Sequence, residues 1–233
     1  MLSFEGPDEY SRAGGLATRV EGLAETLATL GFETHLWFIG DPEQPGHEIR
    51  GSLYLHRWAQ WLSRHHPGGV YDGELPKGTE YARTLPRHLM PRFLVPHFRR
   101  GGHAVILAEE WQTAEAVIEL DRRLRRAGGR ERVTMLWNAN NLFGFDRIPW
   151  SELSGAATIT TVSRMMRLRM EPTGVAALVV TATAAAAAAA GRGSAADRDA
   201  AVRDRRHDGR PGRRLREGRG SELPHRQRPL RRR

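Results

Sequence analysis

Along the first 180 positions, short apolar runs of strand length alternate with longer stretches in which apolar residues recur at spacings of three and four. Residues 2–4 read as an opening strand. Leu16, Val20, Leu23, Leu27 and Leu30 then follow helical spacing until Gly31 stops them, and residues 34–39 read as the next strand. The apolar and aromatic stretch 52–61 is strand-like, and the Pro/Gly-rich stretch 65–77 reads as a loop. Residues 79–100 have helical composition interrupted by Pro86, Pro91 and Pro96, which predicts a kinked or divided helix. Strands are predicted at 103–108, 132–137 and 157–162, with helices over 113–127 and 163–170. This alternation, without internal repeats, predicts an α/β domain with a parallel sheet covered on both faces.

Ligands of parallel sheets gather outside the carboxyl ends of the strands. Four polar segments fall at such ends: Arg12 to Gly15, Glu109 to Gln112, Asn138 to Asn141, and Ser163-Arg164. Gly14 and Gly15 would let the backbone approach a phosphate at the start of the following helix, with Arg12 as a clamp; an ordinary glycine-rich turn and a solvated cation are the alternatives. Glu109 and Glu110 read as caps of the next helix, whose N-terminus favours carboxylates. Gln112 donates and accepts hydrogen bonds without holding a proton, which suits positioning over acid–base work, and Trp111 reads as core. Asn138, Asn140 and Asn141 suit sugar hydroxyls better than metal or phosphate, or else stabilise their own turn. Ser163 reads as a helix cap.

Taken in order, these segments resemble the N-terminal domain of GT-B glycosyltransferases of the family 4 and glycogen/starch synthase type. The motifs are the opening stretch from Ser3 to Leu16 with its basic residue and Gly-Gly-Leu, Leu107-Ala-Glu-Glu-Trp-Gln-Thr-Ala114, Trp137-Asn-Ala-Asn-Asn-Leu-Phe-Gly-Phe-Asp146 and Ala157-Thr-Ile-Thr-Thr-Val-Ser-Arg164. The resemblance covers residues 2–180 and implies a Rossmann-like half of a two-domain enzyme. It implies a retaining, metal-independent transfer from a nucleotide-diphosphate sugar to a carbohydrate or other hydroxyl acceptor. Arg12, Gly14, Gly15 and Arg164 correspond to the donor-phosphate side. Glu109, Glu110, Gln112, Asn138, Asn140 and Asn141 correspond to the sugar and acceptor side, with Gln112 where the synthases place a sugar-positioning His. Thr18 stands where those synthases have Asp, a departure from the polyglucan-synthase subtype. Catalytic residues are not assigned, because the family's second domain, with most donor contacts and a paired-glutamate motif, is missing. The chain alone is therefore expected to be inactive as a transferase.

Charge divides the chain. Residues 1–180 hold 21 Lys and Arg against 21 Asp and Glu, whereas residues 181–233 hold 15 Arg against 6 acids, so the net charge of +9 resides in the tail. That Ala/Arg/Gly-rich segment has no Phe, Trp, Tyr, Ile or Met, and disorder is its expected state. Its arginines would bind polyanions weakly, which leaves a basic nucleic-acid-associated protein as an alternative; a non-catalytic sugar-binding domain is another. After Val180 the chain runs into alanines where the family would enter its second domain, so an out-of-frame tail is the reading, with a native low-complexity linker as the alternative. Cysteine is absent, which excludes disulfides, and the ten histidines show no metal-ligand spacing; His65-His66 is expected to face solvent. Neither a signal-like N-terminus nor a membrane span is expected, which makes the cytoplasm the default, and an exposed cleft face predicts self-association.

Overall fold

The computed structural model describes residues 1–180. The basic tail, with its predicted disorder and arginine clusters, lies outside the described residues.

The chain forms a mixed α/β domain. Strands β1 (Thr34–Ile39), β2 (His47–Arg50) and β3 (Leu53–Trp58) hydrogen-bond in the order β1-β3-β2, with β1 and β3 parallel and the edge strand β2 antiparallel. Strands β4 (Ala104–Glu109), β5 (Val133–Ala139), β6 (Thr158–Thr161) and β7 (Leu178–Val179) form a wholly parallel sheet in chain order. The opening segment joins the two groups: Leu2 bridges in parallel to Trp37 of β1 and to Ala108 of β4. Its backbone N–H donates to Leu107 at 2.7 Å, and its carbonyl accepts from Glu109 at 2.9 Å. The predicted first strand is thus a pair of bridges at the centre, from which the chain winds outward both ways, an arrangement compatible with a Rossmann-like fold.

Alternation along β1 separates two cores. Leu36 and Phe38 pack with Val20 and Ala24 of helix α1 (Gly15–Thr29) on one face. Trp37 and Ile39 join the larger core on the other, with Tyr81 and Leu85 of α3 (Glu74–Leu89) and Val117 and Leu120 of α5 (Ala114–Arg126). Gly31 adopts φ +90° directly after α1, where the backbone N–H of Phe32 returns to Leu27 at 3.1 Å; a side chain would strain that turn.

The edge strand β2, antiparallel where a parallel sheet is predicted, and the short β7 are not among the predicted strands, and three further elements depart from the periodicity. The stretch 52–61 stops being a strand at Trp58 and turns into the short helix α2 (Gln60–Ser63). Helix α3 begins at Glu74, inside the predicted loop. Pro76 is tolerated there in the first turn, where N–H groups have no helical partner, and the ammonium of Lys77 is buried against the carbonyl oxygens of Gly69 and Val70 at 2.9 and 3.2 Å. The third is α6 (Trp150–Ala156), which the sequence pattern did not single out. The proline-rich helix is divided as expected: a π-helical turn at Met90–Leu94 separates α3 from α4 (Val95–Arg99). The last helix, α7 (Arg164–Met170), starts at the Ser163 cap, whose Oγ accepts from the Met166 N–H at 3.1 Å.

Candidate functional site

The carboxyl ends of the central strands bring the predicted polar segments together, but not in one role. At the Gly-Gly turn, the N-terminus of α1 is occupied by a carboxylate of the chain itself. Oε2 of Glu5, a residue only 4 % exposed, accepts the backbone N–H groups of Gly14 and Ala17 at 3.1 Å and of Ala13 at 3.3 Å. Such a carboxylate satisfies orphan donors and complements the helix dipole, the task a phosphate would otherwise perform. Neither Gly14 nor Gly15 has a positive φ, and a Cβ at either position would meet nothing within 4 Å, so internal packing does not require glycine there. Arg12 turns outward to Glu21 at 2.7 Å and to the Pro7 carbonyl. Arg164 is exposed at the start of α7 and does not line the cleft described below.

Glu109, at the end of β4, is 2 % exposed and anchors a network beneath the surface. Its Oε2 accepts from Nδ2 of Asn138 at 2.9 Å and Nδ2 of Asn140 at 2.8 Å, and Nε of Arg19 lies 3.4 Å away. Asn138 also donates to Oδ1 of Asn140 at 3.1 Å and accepts from Thr160 Oγ1 at 3.0 Å. Two amides donate hydrogen bonds to this buried carboxylate, and the Arg19 guanidinium offsets its charge. Glu109, Asn138 and Asn140 therefore hold β4, β5 and β6 in register at the site and do not line its opening.

Glu110, Gln112 and Asn141 do line it. They contribute to a cleft of about 450 Å³ whose wall also includes Tyr71, Glu74 and Trp111. The rim carries Phe143, which is 78 % exposed, together with Asp146 and Arg147. Glu110 has φ +69° and ψ 165°, a conformation costing a non-glycine residue about 1–3 kcal/mol, and it is 2 % exposed. Its Oε1 accepts the Asn140 backbone N–H at 2.6 Å, while its own carbonyl accepts from Trp137 Nε1 and Thr113 Oγ1. Burial pushes the Glu110 carboxyl up to about 7, against the lowering effect of the Asn140 hydrogen bonds, and the neighbouring Glu109 charge adds to the rise. Neither Glu109 nor Glu110 caps α5 through its side chain, so that alternative is not realised.

Nε2 of Gln112 donates to Oε1 of Glu74 at 2.8 Å, which orients the amide. Its Oε1 is buried without a hydrogen-bond donor from the protein. The Tyr71 hydroxyl donates to Oε1 of Glu5 at 2.6 Å, and burial, followed by that hydrogen bond and the charges of Glu5, Glu74 and Glu110, raises its phenol. Arg147 lies over the Trp111 ring, 4.8 Å from its centroid, so Trp111 is a wall of the site as well as part of the core. Gly144, at φ +66°, passes so close to that indole that a Cβ would stand 2.4 Å from it. Glu5, Tyr71, Glu74, Asp146 and Arg147 were not legible as site residues. Glu5 and Asp146 fall inside stretches that carry the resemblance but have no assigned role there, and Tyr71 and Glu74 lie in the stretch 65–77 that reads as a loop; the Asn-Leu-Phe-Gly turn after β5 is the one signal for Phe143 and its neighbours.

A second group of titratable side chains lies on the sheet, away from the cleft. Register pairs Trp37 with His56 and His56 with His47. His56 uses both ring nitrogens, with Nε2 2.8 Å from Nδ1 of His35 and Nδ1 3.0 Å from Nδ1 of His47. The His56 ring stacks on Trp37 at 4.3 Å, and Phe93 meets it edge-on. Burial drives His56 down to about 3, with smaller contributions from His35, His47, the Met1 amino group and His88. Burial also lowers His35 and His88, the latter beside Arg92. His66, predicted to face solvent, is half-buried and contacts Asp72 at 3.3 Å, because its loop folds back over Tyr10.

Among the described residues no group of three or more His, Asp or Glu side chains could hold a metal ion, and no helix is long and apolar enough to cross a membrane. No protein-family model matches the chain, and no curated protein sequence matches it.

Proposed function

We propose that residues 1–180 are the acceptor-side, sugar-binding half of a nucleotide-sugar-dependent retaining glycosyltransferase, corresponding to the N-terminal domain of a GT-B fold acting in the cytoplasm. The observation that carries this reading is the cleft beside β4 and β5, lined both by the aromatic residues Tyr71, Trp111 and Phe143 and by the hydrogen-bonding groups of Glu74, Glu110 and Gln112. Aromatic faces pack on the apolar side of a sugar ring while carboxylates and amides take its hydroxyl protons, and that mixture is what a polyhydroxylated ligand requires. Gln112 positions and does not transfer protons. Donor diphosphate would be gripped chiefly by a second domain, so this chain alone binds sugar without turning it over.

One observation favours a second reading, a sugar-binding domain without transferase chemistry: the Glu5 carboxylate sits on the α1 N-terminus that a donor phosphate would use. Calorimetric titration with a monosaccharide and with uridine diphosphate separates the two. Millimolar monosaccharide binding is expected for both. Nucleotide binding that strengthens in Glu5→Gln supports the transferase half, whereas indifference to nucleotide in both proteins supports the binding domain. Absence of any monosaccharide binding would sink both.

A further inference from the structure

The groups facing the cleft are unbalanced in a way that selects its ligand. Four acids line it, Glu5, Glu74, Glu110 and Asp146, against one cation, Arg147. Glu5 is saturated by three backbone N–H groups and the Tyr71 hydroxyl, and the Arg147 guanidinium is held over Trp111. Glu110 accepts the Asn140 backbone N–H and burial favours its neutral form, so the open charge is that of Glu74, which receives one donor, from Gln112. The remaining Gln112 oxygen, on a side chain more than nine-tenths buried, receives none. A buried acceptor without a donor costs about 1–3 kcal/mol, which a ligand donor would recover.

An anionic ligand would meet carboxylates and no free cation in this wall. A neutral sugar would supply hydroxyl donors and leave the negative charge uncompensated. A protonated primary amine supplies three N–H donors and the missing charge together, and the aromatic walls favour a cation electrostatically. We propose that the cleft binds a hydroxylated ring bearing a primary ammonium group, an amino sugar or aminocyclitol, with the ammonium held by Glu74 and the free Gln112 oxygen. This rests on the carbohydrate reading above and specifies its ligand class.

The test is calorimetric titration of the full chain with D-glucosamine, D-glucose and N-acetyl-D-glucosamine at neutral pH and low salt, with n-butylamine as the amine lacking a sugar ring. Glucosamine is expected to bind about tenfold more tightly than either neutral sugar, and the advantage should shrink at high salt. Glu74→Gln keeps an oxygen for the Gln112 amide and should bring glucosamine close to glucose, with thermal melting confirming that the variant is folded. If that variant does not fold, the salt dependence of the unmodified chain decides. Equal affinity for all three sugars would overturn the ammonium inference and leave the carbohydrate reading standing. Binding of n-butylamine alone would overturn the sugar ring in both, and no binding at all would remove both.

Discussion

The histidine stack on β1–β3 and the carboxylate cleft beside β4 and β5 both gather ionisable side chains away from water, but they differ in what their polar atoms meet. In the stack, both nitrogens of His56 are matched by neighbouring histidines and its ring is sandwiched by aromatics. In the cleft, Gln112 keeps an unmatched oxygen and Glu110 is held in a left-handed backbone conformation. Each region also holds one buried polar atom without a partner, Trp37 Nε1 in the stack and Gln112 Oε1 in the cleft, so what sets the cleft apart is the backbone strain at Glu110 and the opening that Glu110 and Gln112 line.

The two also respond to pH in opposite directions. Burial holds His56 neutral, so as pH falls below the ordinary histidine value of about 6.5 the unfolded chain takes up a proton that the folded chain refuses until about 3, and stability falls across that window. Burial holds Glu110 protonated up to about 7. As pH rises from about 4.5 the unfolded carboxyl releases its proton first, and stability falls again. Stability should therefore be greatest in the mildly acidic range where these windows meet.

The largest break in the comparison should come from Glu109→Ala, which strands the amides of Asn138 and Asn140 and the Arg19 guanidinium beneath the cleft. A loss of about 3 kcal/mol is expected in urea unfolding, and a loss below about 1 kcal/mol would show that the network is dispensable. Next, Glu110→Gln should remove the alkaline limb, stabilising the protein by about 2 kcal/mol at pH 8 and by little at pH 5. An equal change at both pH values would assign the effect to packing. His56→Phe should flatten the acid limb by about 2 kcal/mol between pH 7 and pH 4, after allowance for solvent screening, while leaving glucosamine affinity unchanged. A shift in affinity would couple the two regions. The smallest effect is expected from Phe143→Ala, neutral for stability because the ring is exposed, but weakening sugar binding by about 1 kcal/mol, or roughly fivefold. Unchanged affinity would remove that ring from the site.

How far the site could be read in advance depended on where its residues come from. Glu110, Gln112 and Asn141 follow directly from strand ends, and a strand end is visible as the point where an apolar run gives way to polar residues. The same rule picked Glu109, Asn138 and Asn140 and could not tell that these turn inward, because facing a neighbouring strand or facing solvent is set by register and not by composition. Glu5 was passed over beside the Gly-Gly turn, since nothing in its neighbours announces that it folds back onto α1.

By itself the sequence determined the alternation of strands and helices, the stop of α1 at Gly31, the break in the proline-rich helix and the concentration of charge in the last 53 positions, because propensity, periodicity and composition are local. Only the tertiary structure decided that Leu2 joins two groups of strands, that three histidines distant in sequence share one patch of sheet, and that a carboxylate from residue 5 occupies the helix N-terminus beside the cleft. Those outcomes depend on which strands become neighbours and in what register, and such long-range pairing is set by the burial of the whole core.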